Sequence, residues 1–182
     1  MRRASVPDSW LFTDARLGGA RRDDPLWRAL ARLPRGGGVV FRHYGLPEPA
    51  RKALLRDVLA VARRRGLLVV GSGIRAPDGA HHRAGAPIRR AQRGLLTAAV
   101  HDRRELATAF RAGADLVFLS PVFATASHPG DAPLGPVQFG LAARGAPGPV
   151  MALGGMSAAR MHRLRPLGAQ GFAGIACWLG DG

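Results

Sequence analysis

Short apolar runs bounded by glycine, proline and polar residues recur along the chain, and such runs are typical of buried β-strands. A continuous apolar run, rather than a strict alternation, favours strands that are covered on both faces, as in a parallel sheet. The eight runs that we assign as strands cover residues 10–13, 38–44, 67–70, 79–82, 95–100, 116–119, 149–153 and 172–178. The run at 79–82 carries the weakest apolar signal.

Segments with helical spacing lie between most of these runs. The clearest is residues 49–65, where apolar side chains share one face and Gly66 can end the helix. Asp102 and Glu105 form a capping box at the start of another helix, and Ser157 is a candidate N-cap. The remaining helices are predicted over residues 25–33, 86–93, 102–112, 136–144 and 157–167.

Eight strands alternating with helices predict an α/β fold, and we expect a (β/α)8 TIM barrel that forms a single domain over residues 1–182. Such barrels usually have about 200 residues or more. Between residues 70 and 79 there is no room for a crossover helix, and the sequence ends soon after the last run. We therefore predict a barrel trimmed at the third helix and at the C-terminus.

Composition restricts the location and the partners. The chain has 182 residues and a formal net charge of +15, and Lys52 is its one lysine. The arginines are scattered over predicted helices, so we do not expect a nucleic-acid partner, although a basic nucleic-acid module stays an alternative. Cys177 is the single cysteine, and no apolar run is long enough to span a membrane. These features predict a cytoplasmic protein with no membrane partner.

Two loops carry the candidate chemistry. The segment 153–157 is a strand end, the glycine pair Gly154 and Gly155, and a helix N-cap. Glycines let peptide N–H groups approach an anion, and barrels often bind phosphate after the seventh and eighth strands. After the 116–119 strand, Thr125, Ser127 and His128 supply hydroxyls and an imidazole that can hold a phosphate or move a proton. An ordinary turn and an ordinary polar loop are the alternatives.

Further candidates end the second, fourth and fifth strands. Arg42 can bind an anion in a bidentate manner, but side chains alternate along a strand, so Arg42 and His43 cannot both point inward. For the same reason His81 and His82 are not expected to chelate a metal together. His101 is interpreted as a structural hydrogen-bonding residue.

Three segments in this order, residues 113–125, 149–156 and 168–174, resemble the thiamine phosphate synthase and thiazole tautomerase family of compact (β/α)8 barrels. In the synthases, a pyrimidine methyl pyrophosphate loses pyrophosphate and the nitrogen of thiazole phosphate captures the resulting cation. The resemblance therefore implies a transferase of thiamine biosynthesis whose partners are small phosphorylated substrates, thiazole phosphate and the pyrimidine pyrophosphate.

The resemblance also implies roles for eight residues. In the catalytic set, Arg42 matches the arginine that binds pyrophosphate in the family. Thr125 and Ser127 match two loop hydroxyls, and His128 falls where the synthases have a pyrophosphate-binding lysine. The thiazole phosphate cradle of the family matches Gly154, Gly155, Ala176 and Cys177.

Several family groups are replaced. The resemblance implies magnesium, which the family binds through two aspartates. The position of the first corresponds to the pair Gly71 and Ser72, and that of the second lies near Ala86. A lysine is replaced by Tyr44 and a serine by Ala99. We therefore predict no metal-binding residue and no certain cofactor.

The alternative activities are a tautomerase-like isomerase and a non-catalytic phosphate-ligand binder. The isomerase would use His128 as proton carrier, because the catalytic histidine of the tautomerases falls at Pro121. Asp131 is a candidate replacement for a lost carboxylate, and a homodimer that covers the shortened third unit is a further alternative.

Overall fold

Eight parallel strands form a closed barrel in sequence order, which confirms the predicted (β/α)8 fold. The structure is a computed structural model, and it describes residues 6–89, 93–125 and 132–180. Each strand pairs in parallel with the next, and the last pairs with the first. The strands are β1 (Ser9–Phe12), β2 (Gly38–Phe41), β3 (Leu68–Gly71), β4 (Gly79–His82), β5 (Leu95–Val100), β6 (Leu116–Leu119), β7 (Val150–Leu153) and β8 (Gly171–Gly174).

Five α-helices cover the outside of the described barrel. They are α1 (Pro25–Arg32), α2 (Glu48–Arg65), α3 (Arg103–Arg111), α4 (Gly135–Ala143) and α5 (Ala158–Leu164). Single turns of 3₁₀ helix follow at Ala15–Leu17, Arg165–Leu167 and Ala176–Trp178. In the described ranges the connections from β3 to β4 and from β4 to β5 contain no helix, and β8 is followed only by a 3₁₀ turn. The trimmed third unit is therefore confirmed.

The helix predicted over residues 86–93 is wrong where the structure describes it. Residues 86–89 are not helical, and residues 90–92 lie outside the described ranges. The chain instead makes a turn in which Ala86 N donates to Arg83 O at 3.1 Å, with Gly85 at a φ of +72°. The predicted helix over 157–167 also changes to 3₁₀ geometry at its last turn, which contains Pro166.

Two predicted strands are shorter than expected. The strand predicted over 38–44 ends at Phe41, because His43 adopts a φ of +37° and turns the chain out of the sheet. The strand predicted over 172–178 ends at Gly174, and the following residues form the Ala176–Trp178 turn. After β8 the apolar run, residues 175–178, continues past the point where the backbone leaves the barrel.

The barrel interior is filled by aromatic and aliphatic side chains. Phe118 meets the rings of Trp10 and Phe12 edge to face, with centroids 5.3 and 4.8 Å apart. Such perpendicular contacts are a favoured geometry for buried rings. The buried members of this interior cluster are Trp10, Phe12, Val40, Val70, Leu116, Phe118, Met151 and Ala173. The interior is therefore a packed core and not a channel.

One histidine belongs to this interior. The His81 ring lies 5.3 Å from Phe12 and 5.6 Å from Phe118, and its Nδ1 is 2.9 Å from Thr97 Oγ1. Burial, together with the charge of Arg42, lowers the pKa of His81 to about 3. His82 instead bonds the Arg89 carbonyl outside the interior, so the prediction that the two histidines do not act together is consistent with the structure.

The seam between β1 and β8 joins distant parts of the chain. Phe172 N–H donates to Asp8 O at 2.8 Å, and a Cβ atom on Gly171 would lie 2.2 Å from that same carbonyl oxygen. Trp178 Nε1 donates to Trp10 O at 2.9 Å, and its ring stacks on Phe172.

Among the described helices, none is both long and apolar enough to cross a membrane.

Candidate active site

A cavity of about 540 Å³ opens at the carboxyl ends of the strands, and we call it the mouth cavity. Residues at or after β1, β2, β5, β6, β7 and β8 line it, while no described residue at or after β3 or β4 does. Its lining comprises Phe12, Asp14, Arg16, Leu17, Arg42, His101, Ser120, Pro121, Thr125, Leu153, Gly154, Gly155, Met156, Gly174, Ile175, Ala176, Cys177 and Leu179. The carboxyl ends of the strands are where barrel enzymes carry their active sites.

Six of the eight site residues predicted from sequence line the mouth cavity. They are Arg42, Thr125, Gly154, Gly155, Ala176 and Cys177. The other two, Ser127 and His128, lie outside the described residues, as does Asp131. The structure thus brings the described candidates to one place, and their roles in binding or catalysis stay predictions.

The glycine turn after β7 is packed tightly against the loop after β6. Gly154 and Gly155 have φ values of +95° and +60°. A Cβ on Gly154 would lie 2.9 Å from Pro121 Cα, and one on Gly155 would lie 2.5 Å from Ala124 O. Phe123 N–H donates to Gly154 O at 3.1 Å. Glycine is therefore required at both positions, by backbone conformation and by close approach.

The start of α5 is capped by its own side chains. Ser157, the predicted N-cap, accepts a hydrogen bond from Arg160 N at 3.3 Å. The Arg160 guanidinium donates to Gly155 O and lies 4.7 Å from the Phe123 ring centroid. Gly154 and Gly155 line the mouth cavity whereas Ser157 and Arg160 do not, so the glycine turn is the part of this segment that can meet a ligand.

Arg42 is fixed at the edge of the mouth cavity by contacts with the end of β1. Its Nε donates to Thr13 O at 3.0 Å and its Nη2 to Asp14 Oδ2 at 3.3 Å. The guanidinium carbon lies 5.1 Å from the Phe12 ring centroid. Burial lowers the pKa of Arg42 and the charge of Asp14 opposes that shift, but a guanidinium stays protonated in either case. The site therefore holds a half-buried, oriented cation.

Asp14 and Arg16 belong to the same hydrogen-bonded group as Arg42, and neither is predicted as a site residue from sequence. Arg16 Nη2 donates to Asp14 Oδ2 at 2.6 Å, so one carboxylate oxygen joins the guanidinium groups of Arg16 and Arg42. Burial acts to raise the pKa of Asp14, but hydrogen bonds and charge from Arg16, with the charge of Arg42, outweigh it and leave that pKa below its usual value. The Asp14 carboxylate is consequently ionised at neutral pH.

His43 supports Arg42 from behind and does not enter the cavity. Its Nε2 lies 2.9 Å from Gly18 O, which can only accept, so Nε2 carries the proton and Nδ1 accepts from Thr13 Oγ1 at 2.9 Å. Thr13 Oγ1 in turn accepts from Arg42 N at 3.1 Å. Burial lowers the pKa of His43 and favours this neutral form. As predicted, Arg42 and His43 do not both face the cavity, since Arg42 lines it and His43 does not; both residues follow the end of β2, so strand alternation is not the cause.

Two other lining residues have clear local roles. His101 donates its backbone N–H to Glu105 Oε2 at 2.8 Å, and its Nδ1 lies 3.5 Å from the same oxygen, which fits the structural role predicted for it. Burial raises the pKa of Cys177 to about 12, so its thiol is neutral and unreactive as a nucleophile at neutral pH.

The ends of β3 and β4 have a different character. Tyr44 Oη and Ser72 Oγ are 2.6 Å apart. The Tyr44 ring also contacts two arginines, because the guanidinium carbons of Arg51 and Arg83 lie 5.4 and 5.2 Å from the ring centroid. Arg51 also donates to the carbonyl oxygens of Ser72, Gly73 and Arg42. We call Tyr44, Arg51, Ser72 and Arg83 the tyrosine cluster.

The tyrosine cluster does not fit a magnesium ion. It offers two hydroxyls and two cations, whereas magnesium prefers carboxylate and phosphate oxygens. Among residues 6–89, 93–125 and 132–180, no three histidine, cysteine, aspartate or glutamate side chains come together as a metal site. No catalytic step is therefore assigned to magnesium.

The family model for thiamine monophosphate synthase matches residues 79–177, more than half of the chain. This chain belongs to that family. The match covers β4 to β8 and so includes the loop after β6, the glycine turn after β7 and the turn after β8. No curated protein matches the chain.

Solved structures of the thiamine monophosphate synthase family share the fold. The thiamine phosphate pyrophosphorylase of Pyrococcus furiosus is 18% identical, with 96% of this chain and 88% of that chain covered at a TM-score of 0.75. The pyrophosphorylase of Bacteroides thetaiotaomicron is 18% identical, with 94% and 84% covered at a TM-score of 0.63. FabK of Thermotoga maritima is also similar, at 19% identity, 95% and 59% coverage and a TM-score of 0.65. At these identities the likeness establishes the barrel and not the reaction.

Proposed function

We propose that this chain is a thiamine phosphate synthase-like transferase of thiamine biosynthesis, which joins a pyrimidine methyl pyrophosphate to thiazole phosphate. One observation carries the proposal: Arg42 and the glycine turn at Gly154 and Gly155 line the same cavity. β2 and β7 are three strands apart around the barrel, so a cation and a set of peptide groups face different parts of one space. Such an arrangement suits two anionic substrates bound side by side.

The reaction balances without a protein nucleophile. The bond between the pyrimidine methylene carbon and the pyrophosphate oxygen breaks, and pyrophosphate leaves with the electron pair. The thiazole nitrogen then donates its lone pair to the methylene cation, which forms the C–N bond of thiamine phosphate. The protein must neutralise the leaving anion and align two substrates, and both effects are large when the groups are fixed in advance.

Residues of the mouth cavity match these needs. The Arg42 guanidinium is held by Thr13 and Asp14 and can face the leaving pyrophosphate without reorganisation. Peptide groups of Gly154 and Gly155 can approach the thiazole phosphate because no side chain shields them. The neutral Cys177 thiol adds no negative charge that would repel either substrate.

Complementation tests the activity in cells. A thiamine-requiring strain that lacks its own synthase should grow on minimal medium when it expresses this chain, and should not grow with the Arg42→Gln variant. In parallel, purified protein incubated with both substrates should form thiamine phosphate, detected by mass spectrometry. Absence of growth and of product with well-folded protein would contradict the proposal.

A non-catalytic phosphate-ligand binder is the second candidate, and the tyrosine cluster favours it. The mouth cavity receives no carboxylate from β3 or β4 in the described residues, so the leaving group lacks one source of stabilisation. Calorimetry with thiazole phosphate separates the two candidates. Binding without product formation at any magnesium concentration would support the binder.

The tautomerase-like isomerase depends on His128, which lies outside the described residues. The Arg42→Gln variant tests it, because an isomerase that never meets pyrophosphate should keep its turnover. We rank it below the other two, since His101 is the one described histidine that lines the mouth cavity, and its Nδ1 lies 3.5 Å from Glu105 Oε2.

A further inference from the structure

Positive charge in the mouth cavity is concentrated in one place. Arg16 and Arg42 contribute two positive charges and Asp14 one negative charge, so these three lining side chains carry a net charge of +1. Cys177, on the opposite flank of β1, is a neutral thiol. The charge therefore favours an anionic group beside β1 and β2.

The two guanidinium groups are held side by side. Asp14 Oδ2 accepts from Arg16 Nη2 at 2.6 Å and from Arg42 Nη2 at 3.3 Å, and Arg16 Nε adds a bond of 3.2 Å. The backbone N–H of Arg16 also donates to Asp14 Oδ1 at 3.0 Å, which ties the pair to the start of the Ala15–Leu17 turn. Asp14 thereby occupies the Nε and Nη2 edge of Arg16 and orients both planar guanidinium groups, so a phosphate oxygen would meet the Nη1 side of Arg16.

The region next to this pair cannot supply a metal-bridged alternative. Where magnesium binds an anion, carboxylates hold the cation and the cation holds the anion. The tyrosine cluster instead places the guanidinium groups of Arg51 and Arg83 against one aromatic ring, and its two hydroxyls bond each other. A divalent cation there would meet like charges.

We propose that the mouth cavity binds its pyrophosphate-like anion without a divalent cation, on a guanidinium pair formed by Arg16 and Arg42 and bridged by Asp14. Arg16 is thereby a ligand-binding residue, and it supplies the second positive charge that a metal would otherwise bring. The proposal rests on the proposed function in one respect, namely that the mouth cavity is the substrate site.

Isothermal titration calorimetry with inorganic pyrophosphate tests the proposal on the full chain. Pyrophosphate should bind with the same Kd in excess EDTA and in millimolar magnesium, once the pyrophosphate complexed by magnesium in solution is subtracted. Binding that requires magnesium would overturn the proposal, and so would no binding under either condition.

Arg16→Gln should weaken pyrophosphate binding by about tenfold or more, because a positive charge and its charge-assisted hydrogen bonding are lost. Arg21→Gln is the matched control: Arg21 also bonds an aspartate two residues away, Asp23, but it does not line the mouth cavity. Equal affinities of the two variants would overturn the role of Arg16. If Arg16→Gln does not fold, Arg16→Lys keeps the charge without the fork and should weaken binding to a smaller extent.

This measurement is independent of turnover, so the two proposals can fail separately. Metal-free binding that depends on Arg16, together with no thiamine phosphate formation, would remove the proposed transferase activity and retain the guanidinium pair. Product formation that requires magnesium, with pyrophosphate affinity insensitive to Arg16→Gln, would retain the transferase activity and remove the guanidinium pair.

Discussion

The two sides of the barrel mouth differ in what their loops do. On the side formed by β5, β6, β7, β8, β1 and β2, residues at or after the ends of the strands line one cavity. On the side formed by β3 and β4, the described residues bond each other and leave no lining position. The strand pairing is continuous across both sides. The comparison teaches that a barrel can keep its scaffold intact while only part of its rim presents a ligand site.

The β3–β4 side also uses its acidic side chain for the fold. Asp78, which precedes β4, accepts from Val69 N at 2.7 Å, and its carbonyl accepts from Leu95 N at 2.8 Å. The seven residues from 72 to 78 form the whole connection between these strands. A carboxylate that joins β3 to its neighbours in so short a connection is not available for a ligand at the other end of the strands.

The largest effect is expected at the glycine turn. Gly155→Ala should lower the free energy of unfolding by about 2–5 kcal/mol, from the left-handed backbone and the contact with Ala124 O. Gly73→Ala on the β3–β4 side has a similar φ, +65°, but free space around its Cβ, and should cost about 1–2 kcal/mol. Urea unfolding measures both, and equal losses would contradict the close approach that the structure assigns to Gly155.

Arg42→Gln should weaken the binding of pyrophosphate by about 10- to 100-fold, since charge-assisted hydrogen bonds are lost. Arg83→Gln should leave the affinity unchanged, because Arg83 contacts Tyr44 and does not line the mouth cavity. Calorimetry with both variants checks the contrast between the two sides. An equal loss for Arg83→Gln would mean that the ligand reaches the tyrosine cluster.

His81 lies in the barrel interior, against Phe12 and Phe118, and should make the free energy of unfolding depend on pH. Its folded pKa of about 3 is below the unfolded value near 6.5, so the unfolded chain binds the proton first as the pH falls. Stability is therefore fully present above about pH 6.5 and falls toward pH 3, by up to about 1.4 kcal/mol per pH unit. Urea unfolding at pH 7 and pH 5 measures this dependence.

The His81→Gln variant should show a weaker pH dependence than the wild type over the same range. Some dependence should persist, because burial also lowers the pKa of His43. Thr97→Val removes the hydrogen bond to His81 but keeps the imidazole, so it should retain the dependence. An unchanged slope in His81→Gln would show that this side chain does not titrate as the structure implies.

The smallest effect is expected at Tyr44. Tyr44→Phe removes the hydrogen bond to Ser72 and should cost about 1 kcal/mol of stability while leaving pyrophosphate affinity unaltered. Thermal unfolding and calorimetry give the two values. A marked loss of affinity would place the Tyr44 hydroxyl in contact with the ligand and remove the difference between the two sides of the mouth.

Much of the barrel could be predicted from sequence because its buried strands are short apolar runs. The failures come from single residues whose conformation depends on distant partners. His43 combines a positive φ with hydrogen bonds between its ring and Thr13 and Gly18, and neither partner is near it in the sequence. The helix predicted over 86–93 does not begin at Ala86, because Ala86 belongs to the turn that contains Gly85.

The candidate site could be predicted in part for a related reason. Arg42 and the glycine turn were found from their positions at strand ends, and both line the mouth cavity. Asp14 and Arg16 were missed, since an arginine near an aspartate in a polar loop is also the pattern of the exposed pair Arg21 and Asp23. Only the fold distinguishes the pair that faces the cavity from the pair that faces water.

The seam at Gly171 has a consequence for biosynthesis. Roughly 160 residues leave the ribosome between the end of β1 and the start of β8, which takes on the order of ten to thirty seconds. During that interval the outer edge of β1 has no strand to pair with, and open strand edges recruit other chains. Substitutions at this seam should accordingly lower the yield of folded protein on expression more than they lower the stability of the folded barrel.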